Sequence, residues 1–433
     1  MAHLSLADVA RLRDTDRPTI WMNGESGANA TIGFGEYARF EASGPDRFET
    51  LARRFNDLCG SLPAHTSGVR AFVSASFSSV SGHTSVLIVP AVQYQIGPTG
   101  TRVIDLRPDD AASPSAEHTG TVARAANRTE APAGVTAEQS PTPPSDGESR
   151  GPATRIVAEH GGDLSEEAFV AAVERAVGLI EAGELSKTVI ARDAVLDLDG
   201  ALPIGALARE LNATYPSCWT FYVDGLIGAS PELLVSVRDG AICSRALAGS
   251  APVTGDVDED ENRRADLLTS AKDQSEHAYA ARSVVEVLRR VADVEVSQTS
   301  VIMLPTIMHL ATDVHGHLTG RHSALQVAGL VHPSAAICGT PREAAARVIA
   351  DLEGFDRGRY SAPVGWVDDS GNGEFVIALR CARLEKGPAG DSLRLFAGAG
   401  IVLGSDPAAE LAETATKMLP IRRAVNAVVK ETP

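Results

Sequence analysis

Asp224-Gly225 and Asp239-Gly240 each stand between two runs rich in β-forming residues, and an Asp-Gly pair in that setting is a strong signal for a two-residue type I′ hairpin. Gly371-Asn-Gly373 joins Pro363-Val-Gly-Trp-Val367 to Glu374-Phe-Val-Ile-Ala-Leu-Arg380 in the same manner. Hairpins build antiparallel pairs, whereas parallel pairs need a long crossover. Helical patterns are interspersed. Over Leu164 to Ala182, Phe169, Val170, Val173, Val177, Leu179 and Ile180 cluster on one side, with Gly183 placed to end the helix, and a strand follows over Lys187–Arg192. This mixture predicts an α+β fold rather than a parallel doubly wound sheet.

The chain also divides by composition. From about Asp109 to Pro152 it is nearly devoid of large apolar residues and carries Ser140-Pro-Thr-Pro-Pro-Ser145 at its centre. Such a stretch cannot offset its ordering entropy by burial, which predicts a mobile insertion over 109–152. It separates an N-terminal part, 1–108, from the rest, 153–433, within one domain overall. Residues 1–108 hold strand-like runs, Ala71-Phe-Val-Ser-Ala-Ser-Phe77 and Ser85-Val-Leu-Ile-Val-Pro-Ala-Val92, but no pattern that suggests chemistry.

With 433 residues, 44% of them hydrophobic, the chain can bury a large core. A net charge of −17 argues against nucleic acid or an anionic membrane as partner, since both need clustered Lys and Arg. A small anionic substrate remains allowed, because a metal or a local Arg can reverse the potential inside a cleft. No run of about 18 apolar residues and no secretory pattern is found, so a cytoplasmic location is expected. Cys59, Cys218, Cys243, Cys338 and Cys381 are scattered with no Cys-x-x-Cys pair, which suggests reduced thiols. His315-Gly-His317 could be half of a metal site, but no third ligand lies near it in sequence.

Two acidic segments carry the strongest chemical pattern. In Lys272-Asp-Gln-Ser-Glu276-His277, Asp273 and Glu276 are three residues apart; in Ser405-Asp-Pro-Ala-Ala-Glu410-Leu-Ala-Glu413-Thr-Ala-Thr-Lys417, so are Glu410 and Glu413. That spacing places each pair on one helix face. Asp406 and Pro407 fit the cap and first turn of the second helix, and Pro420 should kink or end it. The first helix should run from about Asp273 to Val291, with Glu276 continuing the apolar stripe of Ala280, Val284, Val287, Leu288 and Val291. If the two faces meet, four carboxylates surround one point and want a divalent cation, which makes Mg2+ the leading reading; two solvated acidic faces are the alternative.

Other candidates are ambiguous by spacing alone. Glu232 stands at a strand start after Pro231, and period does not decide its burial. Lys187 shares a strand face with Val189 and Ala191; a partly buried lysine can act as a base, but taken alone an ordinary edge or surface charge is the commoner case. Arg380, Tyr360 and the run Ala397-Gly-Ala-Gly400 suit a carboxylate pocket, or merely tight strand–helix packing.

Taken together, Gly228-Ala-Ser-Pro-Glu232-Leu-Leu234, Ala246-Leu-Ala-Gly-Ser250, Ser270-Ala-Lys-Asp-Gln-Ser-Glu276-His277, Leu304-Pro-Thr-Ile-Met-His309, His332-Pro-Ser-Ala-Ala-Ile-Cys-Gly-Thr-Pro341, Gly358-Arg-Tyr360-Ser-Ala-Pro-Val-Gly-Trp366 and Ala397 through Lys417 resemble the chorismate-utilising enzymes, and among them the isochorismate synthases. The similarity runs in consecutive order over about 155–430. It implies two large, mostly antiparallel sheets with flanking helices, and Mg2+-dependent addition of water at C2 of chorismate with loss of the C4 hydroxyl. By the same resemblance Lys187 activates water and Glu232 protonates the leaving hydroxyl. Glu276 and Glu413 ligate the metal, with Asp273 and Glu410 supporting them. Arg380 and Tyr360 hold the enolpyruvyl carboxylate, Lys417 lies near the ring carboxylate, Gly249 and Gly398 contribute backbone donors, and His309 is a site histidine. No glutamine amidotransferase subunit is expected, and the chain should act as a monomer.

Relatives that add ammonia look different at Lys187, and Ala248 stands where aminodeoxychorismate synthases resemble one another in a nucleophilic lysine. Salicylate synthases share the lysine and go on to eliminate pyruvate, but carry threonine where this chain has Ala336, followed by a residue smaller than Ile337. Ala336-Ile337 therefore favours stopping at isochorismate. A catalytically silent chorismate-binding protein would have no use for a positioned acid and base. Whether the product serves menaquinone or a siderophore is not legible in the sequence.

Overall fold

In a computed structural model, the structure describes residues 6–9, 11–12, 16–24, 29–107, 154–305, 307–388 and 390–431; the insertion expected over 109–152 lies outside them. The hairpin dipeptides form the turns they predict. Asp224 and Gly225 have φ of 51° and 82°, as do Asp239 and Gly240, so both central residues are left-handed as a type I′ turn requires. They join Trp219–Val223 to Leu226–Ser230 and Leu233–Arg238 to Ala241–Pro252.

Two large sheets result, one of 12 strands and one of 10. At the heart of the first, Lys187–Leu198 pairs with Asp391–Ile401, which pairs in turn with Cys381–Lys386. At the heart of the second, Ala241–Pro252 pairs with Ile307–Leu318 on one side and Leu233–Arg238 on the other. Among the described residues every pairing is antiparallel except that of 430–431 with Arg155–Gly161. The fold is α+β, as the sequence predicts.

The N-terminal residues are built into both sheets. Pro18–Asn23 pairs with Trp219–Val223 in the first, and Arg70–Ser74 with Pro363–Asp368 in the second. Phe48, Leu51, Phe55, Val73 and Leu87 share one core with Phe169, Ile190, Val284, Leu325 and Phe375. Full burial of side chains of this size stabilises by about 1.5–3 kcal/mol each, so this shared core holds the parts of the chain together.

Three helices frame the site. Glu166–Glu181 is capped by Ser165, whose side chain accepts from Ala168 N, and is closed by Gly183 at φ 77°. Ala271–Leu288 starts two residues before the expected Asp273 and ends short of Val291, because the Ser270 hydroxyl caps it by accepting from Asp273 N. Pro407–Val428 is capped by Asp406 and runs on through Pro420 rather than ending there. An interior proline costs a helix about 3 kcal/mol. Here Met418, Ile421, Ala424 and Val425 around it are all buried in the second core cluster, and their packing outweighs that loss.

Candidate functional site

The pocket lies between the central strands of the two sheets. Phe396, Ala397, Gly398 and Gly400 come from Asp391–Ile401, and Leu247 through Ser250 from Ala241–Pro252. The two acidic helices contribute Glu276, Glu413 and Lys417, and loops add Ala336, Ile337, Tyr360, Ser361 and Arg380. Nine of the residues proposed from sequence thus share one lining: Glu232, Gly249, Glu276, His309, Tyr360, Arg380, Gly398, Glu413 and Lys417. Lys187, Asp273 and Glu410 stand just behind it.

Lys187 is the most unusual of these. Its side chain is fully buried, with Nζ 3.2 Å from Glu276 Oε1. The two form a buried ion pair in which the amine makes no hydrogen bond. A buried charge is costly unless it is paired, so Lys187 depends on Glu276. Gly400 makes the amine reachable: a Cβ there would sit 1.9 Å from Glu276 Oε1 and 3.3 Å from Lys187 Cε. The glycine is a window through which Glu276 enters the pocket.

Glu232 is 4% exposed, which settles what strand period left open. Burial pushes its carboxyl up to about 8, although Lys187 and Arg380 pull it down. It therefore holds a proton at neutral pH. Arg380 Nη2 donates to His309 Nε2 at 3.1 Å, and burial followed by the charges of Arg380 and Lys417 pushes His309 down to about 3, so its ring is neutral. Tyr360 stacks on Phe396 with ring centroids 5.0 Å apart, and burial raises its hydroxyl. Arg380 and its neighbour Ser361 both have positive φ, 47° and 51°. Such strain is typically about 1–3 kcal/mol per residue and clusters where geometry serves function.

The acidic helices do meet. Glu413 accepts from the Ser250 hydroxyl at 2.7 Å and lies 2.5 Å from Lys417 Nζ. Burial pushes Glu413 up, but Lys417 and Ser250 outweigh it and hold the carboxyl low. Glu410 is pushed the other way, upward, by burial and then by Glu413, and is held by Lys272 at 2.7 Å. Burial, and behind it the charges of Glu276 and Glu413, also raises Asp273. Glu276 and Glu413 thus offer an all-oxygen donor pair at the pocket wall, the chemistry that suits Mg2+, while Glu410 is engaged by Lys272 in a supporting place.

The walls are fastened from behind by one buried ion pair. Glu353, at the end of the Arg342–Glu353 helix, and Arg357 are 2% and 3% exposed. Arg357 donates to Glu353, to the carbonyls of Val189 and Ile337 at 2.9 Å each, and to the Ser361 hydroxyl at 3.1 Å. Glu353 Oε1 accepts from Ala191 N at 2.7 Å. Burial lowers Arg357 but the Glu353 charge more than restores it; burial raises Glu353 against the pull of Arg357. With an amide and a guanidinium both donating to the carboxylate, the pair is ionised. Its four anchor points sit in or beside the strand of Lys187, the Ala336–Ile337 wall and the Tyr360–Ser361 turn.

Several of these residues were not assigned roles from the sequence. Phe396 alternates with Gly398 and Gly400 on one strand, so period two could have placed it in the lining. Lys272 and Ser250 belong to recognised segments but carry no signal of their ion pair and hydrogen bond. Glu353 and Arg357, four residues apart, read like any solvated helix pair.

Comparison with known proteins fits this geometry. The family described as chorismate binding enzyme matches residues 3–426. The chain is 40% identical over 268 residues to isochorismate synthase DhbC of Bacillus subtilis, covering 58% of this chain and 66% of that protein. It is 40% identical over 257 residues to isochorismate synthase EntC of Escherichia coli K12, covering 58% and 65%. Both alignments span slightly less than two thirds of the relatives' own length. The solved structure of MenF, the menaquinone-specific isochorismate synthase of Escherichia coli, shares the fold with a TM-score of 0.75 at 22% identity, over 98% of this chain and 92% of that one.

Proposed function

Since this chain belongs to the chorismate binding enzyme family, we propose that it is an isochorismate synthase, converting chorismate to isochorismate. The relatives DhbC and EntC, named for that activity, support the reading, and one observation carries it. A fully buried lysine amine, paired with Glu276 at the pocket wall, stands beside a buried glutamic acid that keeps its proton. Those are the two groups that hydration at C2 with loss of the C4 hydroxyl demands.

The attacking water must lose a proton, and Lys187 takes it as oxygen bonds to C2. The ring double bonds shift, and the C4–O bond breaks. Hydroxide is a poor leaving group, so Glu232 delivers its proton to that oxygen and water departs. General acid and base steps of this kind contribute about 10²–10⁴-fold each. Arg380, with a neutral His309 beside it, and Tyr360 orient the enolpyruvyl carboxylate, and Gly249 and Gly398 leave backbone groups open to the ligand. The oxygen donors of Glu276 and Glu413 fit Mg2+, which when bound would neutralise the ring carboxylate. Lys417 is placed beside that carboxylate. Ala336 and Ile337 form the wall that would disfavour further elimination to salicylate.

Incubation with chorismate and Mg2+, followed by chromatography, tests the reading: isochorismate should accumulate without salicylate. Lys187→Ala should abolish turnover and keep Mg2+-dependent chorismate binding by calorimetry. Wild-type turnover in that variant would remove Lys187 as the base, and salicylate as the main product would replace the proposed activity.

A further inference from the structure

The solvent end of the 10-stranded sheet carries a second donor cluster, far in character from the oxygen-lined pocket. Cys243 on Ala241–Pro252 lies directly across from His315 on Ile307–Leu318, and Glu295 on Ala292–Val296 lies across from His315 on the other side. Side chains two apart on a strand share a face, so His317 joins this face about 6.7 Å along the strand from His315. The inward alternation, Ile242 and Val314, is buried in the main core, which fixes the outward direction of the others. His315, His317 and Glu295 are exposed and Cys243 is half-buried. Cys243 Sγ already meets His315 Nδ1 at 3.0 Å.

We propose that this face binds a borderline-soft divalent cation of the Zn2+ type through Cys243, His315 and His317, with Glu295 as the fourth donor. The proposal is independent of the chorismate reading. Taken alone, the His-Gly-His pattern lacks a third ligand; the register supplies one from a strand 72 residues earlier. One thiolate, two imidazoles and a carboxylate select Zn2+ or Co2+ over Mg2+, which prefers oxygen alone. Gly316 keeps the edge strand near: a Cβ there would fall 2.1 Å from the Asp293 carbonyl. Among the described residues no three such donors already point at one centre, so ligation requires the exposed imidazole and carboxylate side chains to rotate. Exposed side chains change rotamer readily, and the backbone register needs no change. Asp293 beside His317 adds negative charge; Arg245, two residues from Cys243 on the same face, is paired with Asp313 at 2.6 Å. On binding, a metal–sulfur bond replaces the S–H bond and the proton leaves to buffer.

Co2+ titration of the full chain tests this, because a thiolate ligand gives a near-ultraviolet sulfur-to-cobalt charge-transfer band that oxygen ligands cannot. The pocket lining contains no cysteine, Cys218, Cys338 and Cys381 are buried, and Cys59, half-buried at the end of the Arg47–Cys59 helix, remains present in the Cys243→Ser control. The wild type should develop the band at one equivalent, and excess Zn2+ should erase it. Cys243→Ser should lack the band, and His315→Ala or His317→Ala should weaken Co2+ binding at least about tenfold. All three variants should keep the wild-type melting temperature without metal, which shows that they fold. Absence of the band in wild type, its survival in Cys243→Ser, or unchanged affinity in both histidine variants would overturn the proposal.

Discussion

Glu353→Gln isolates the charge of the ion pair that fastens the pocket walls. The amide retains the shape of the carboxylate and an oxygen for Ala191 N, but it leaves Arg357 as a buried cation without a counter-charge. Removing one partner of a buried pair costs about 3–5 kcal/mol, mostly as desolvation that is no longer compensated. Unfolding of 433 residues carries an entropy on the order of 0.9 kcal/mol/K, so the loss corresponds to a melting temperature lower by roughly 3–5 °C. Adding Arg357→Met should recover part of the loss, since the double variant buries no charge, although it forfeits the hydrogen bonds of Arg357 to residue 353, Val189, Ile337 and Ser361. Thermal unfolding followed by tryptophan fluorescence and circular dichroism measures all three proteins. A single variant within 1 °C of wild type, or a double variant less stable than Glu353→Gln by the full cost of a second independent lesion, would refute the view that the charges depend on each other.

Glu232 must be protonated to act as the acid, and with its carboxyl raised to about 8 the turnover should fall as pH rises through that value, a limb that pH–rate profiles would reveal. The same shift, from 4.5, means the folded chain binds the extra proton between those values, so stability should decline across that window as pH rises. In Gly400→Ala the new Cβ would collide with Glu276 Oε1, so turnover should drop at least about tenfold with little change in far-ultraviolet circular dichroism; unimpaired turnover would mean that Glu276 does not need that window. Glu413→Gln removes one anionic donor and should raise the Mg2+ requirement and weaken chorismate binding together. Calorimetry giving the wild-type affinity would assign Glu413 a structural role instead.

What could be read from the sequence follows from the range of the interactions involved. Asp224-Gly225, Asp239-Gly240 and Asp406 act on their immediate neighbours, and the turns and cap they predict are in place. Glu276, Glu410 and Glu413 could be put on helix faces by spacing. That the two faces meet depends on the pairing of distant strands, which the family resemblance supplied and spacing did not. Lys187 and Glu232 look like edge charges in their own strands; their burial is imposed by segments more than a hundred residues away, including the Asp391–Ile401 strand and the loop at Arg380. The helix continues past Pro420 for the same reason, because local propensity lost to burial against elements the local sequence does not mention. The Glu353–Arg357 pair was invisible, since its partners are mainly backbone groups of other strands.

The weaving of the first hundred residues into both sheets has a consequence for the order in which a nascent chain can mature. Pro18–Asn23 meets its neighbour Trp219–Val223 only after about two hundred more residues have been made, and Arg70–Ser74 waits for Pro363–Asp368. Until then these strands present unpaired edges, the kind of surface that invites association with other chains. The helix Pro407–Val428 is later still, and it brings Glu413 and Lys417. A chain halted before that helix could have both sheets in register and yet lack one wall of its acidic pocket.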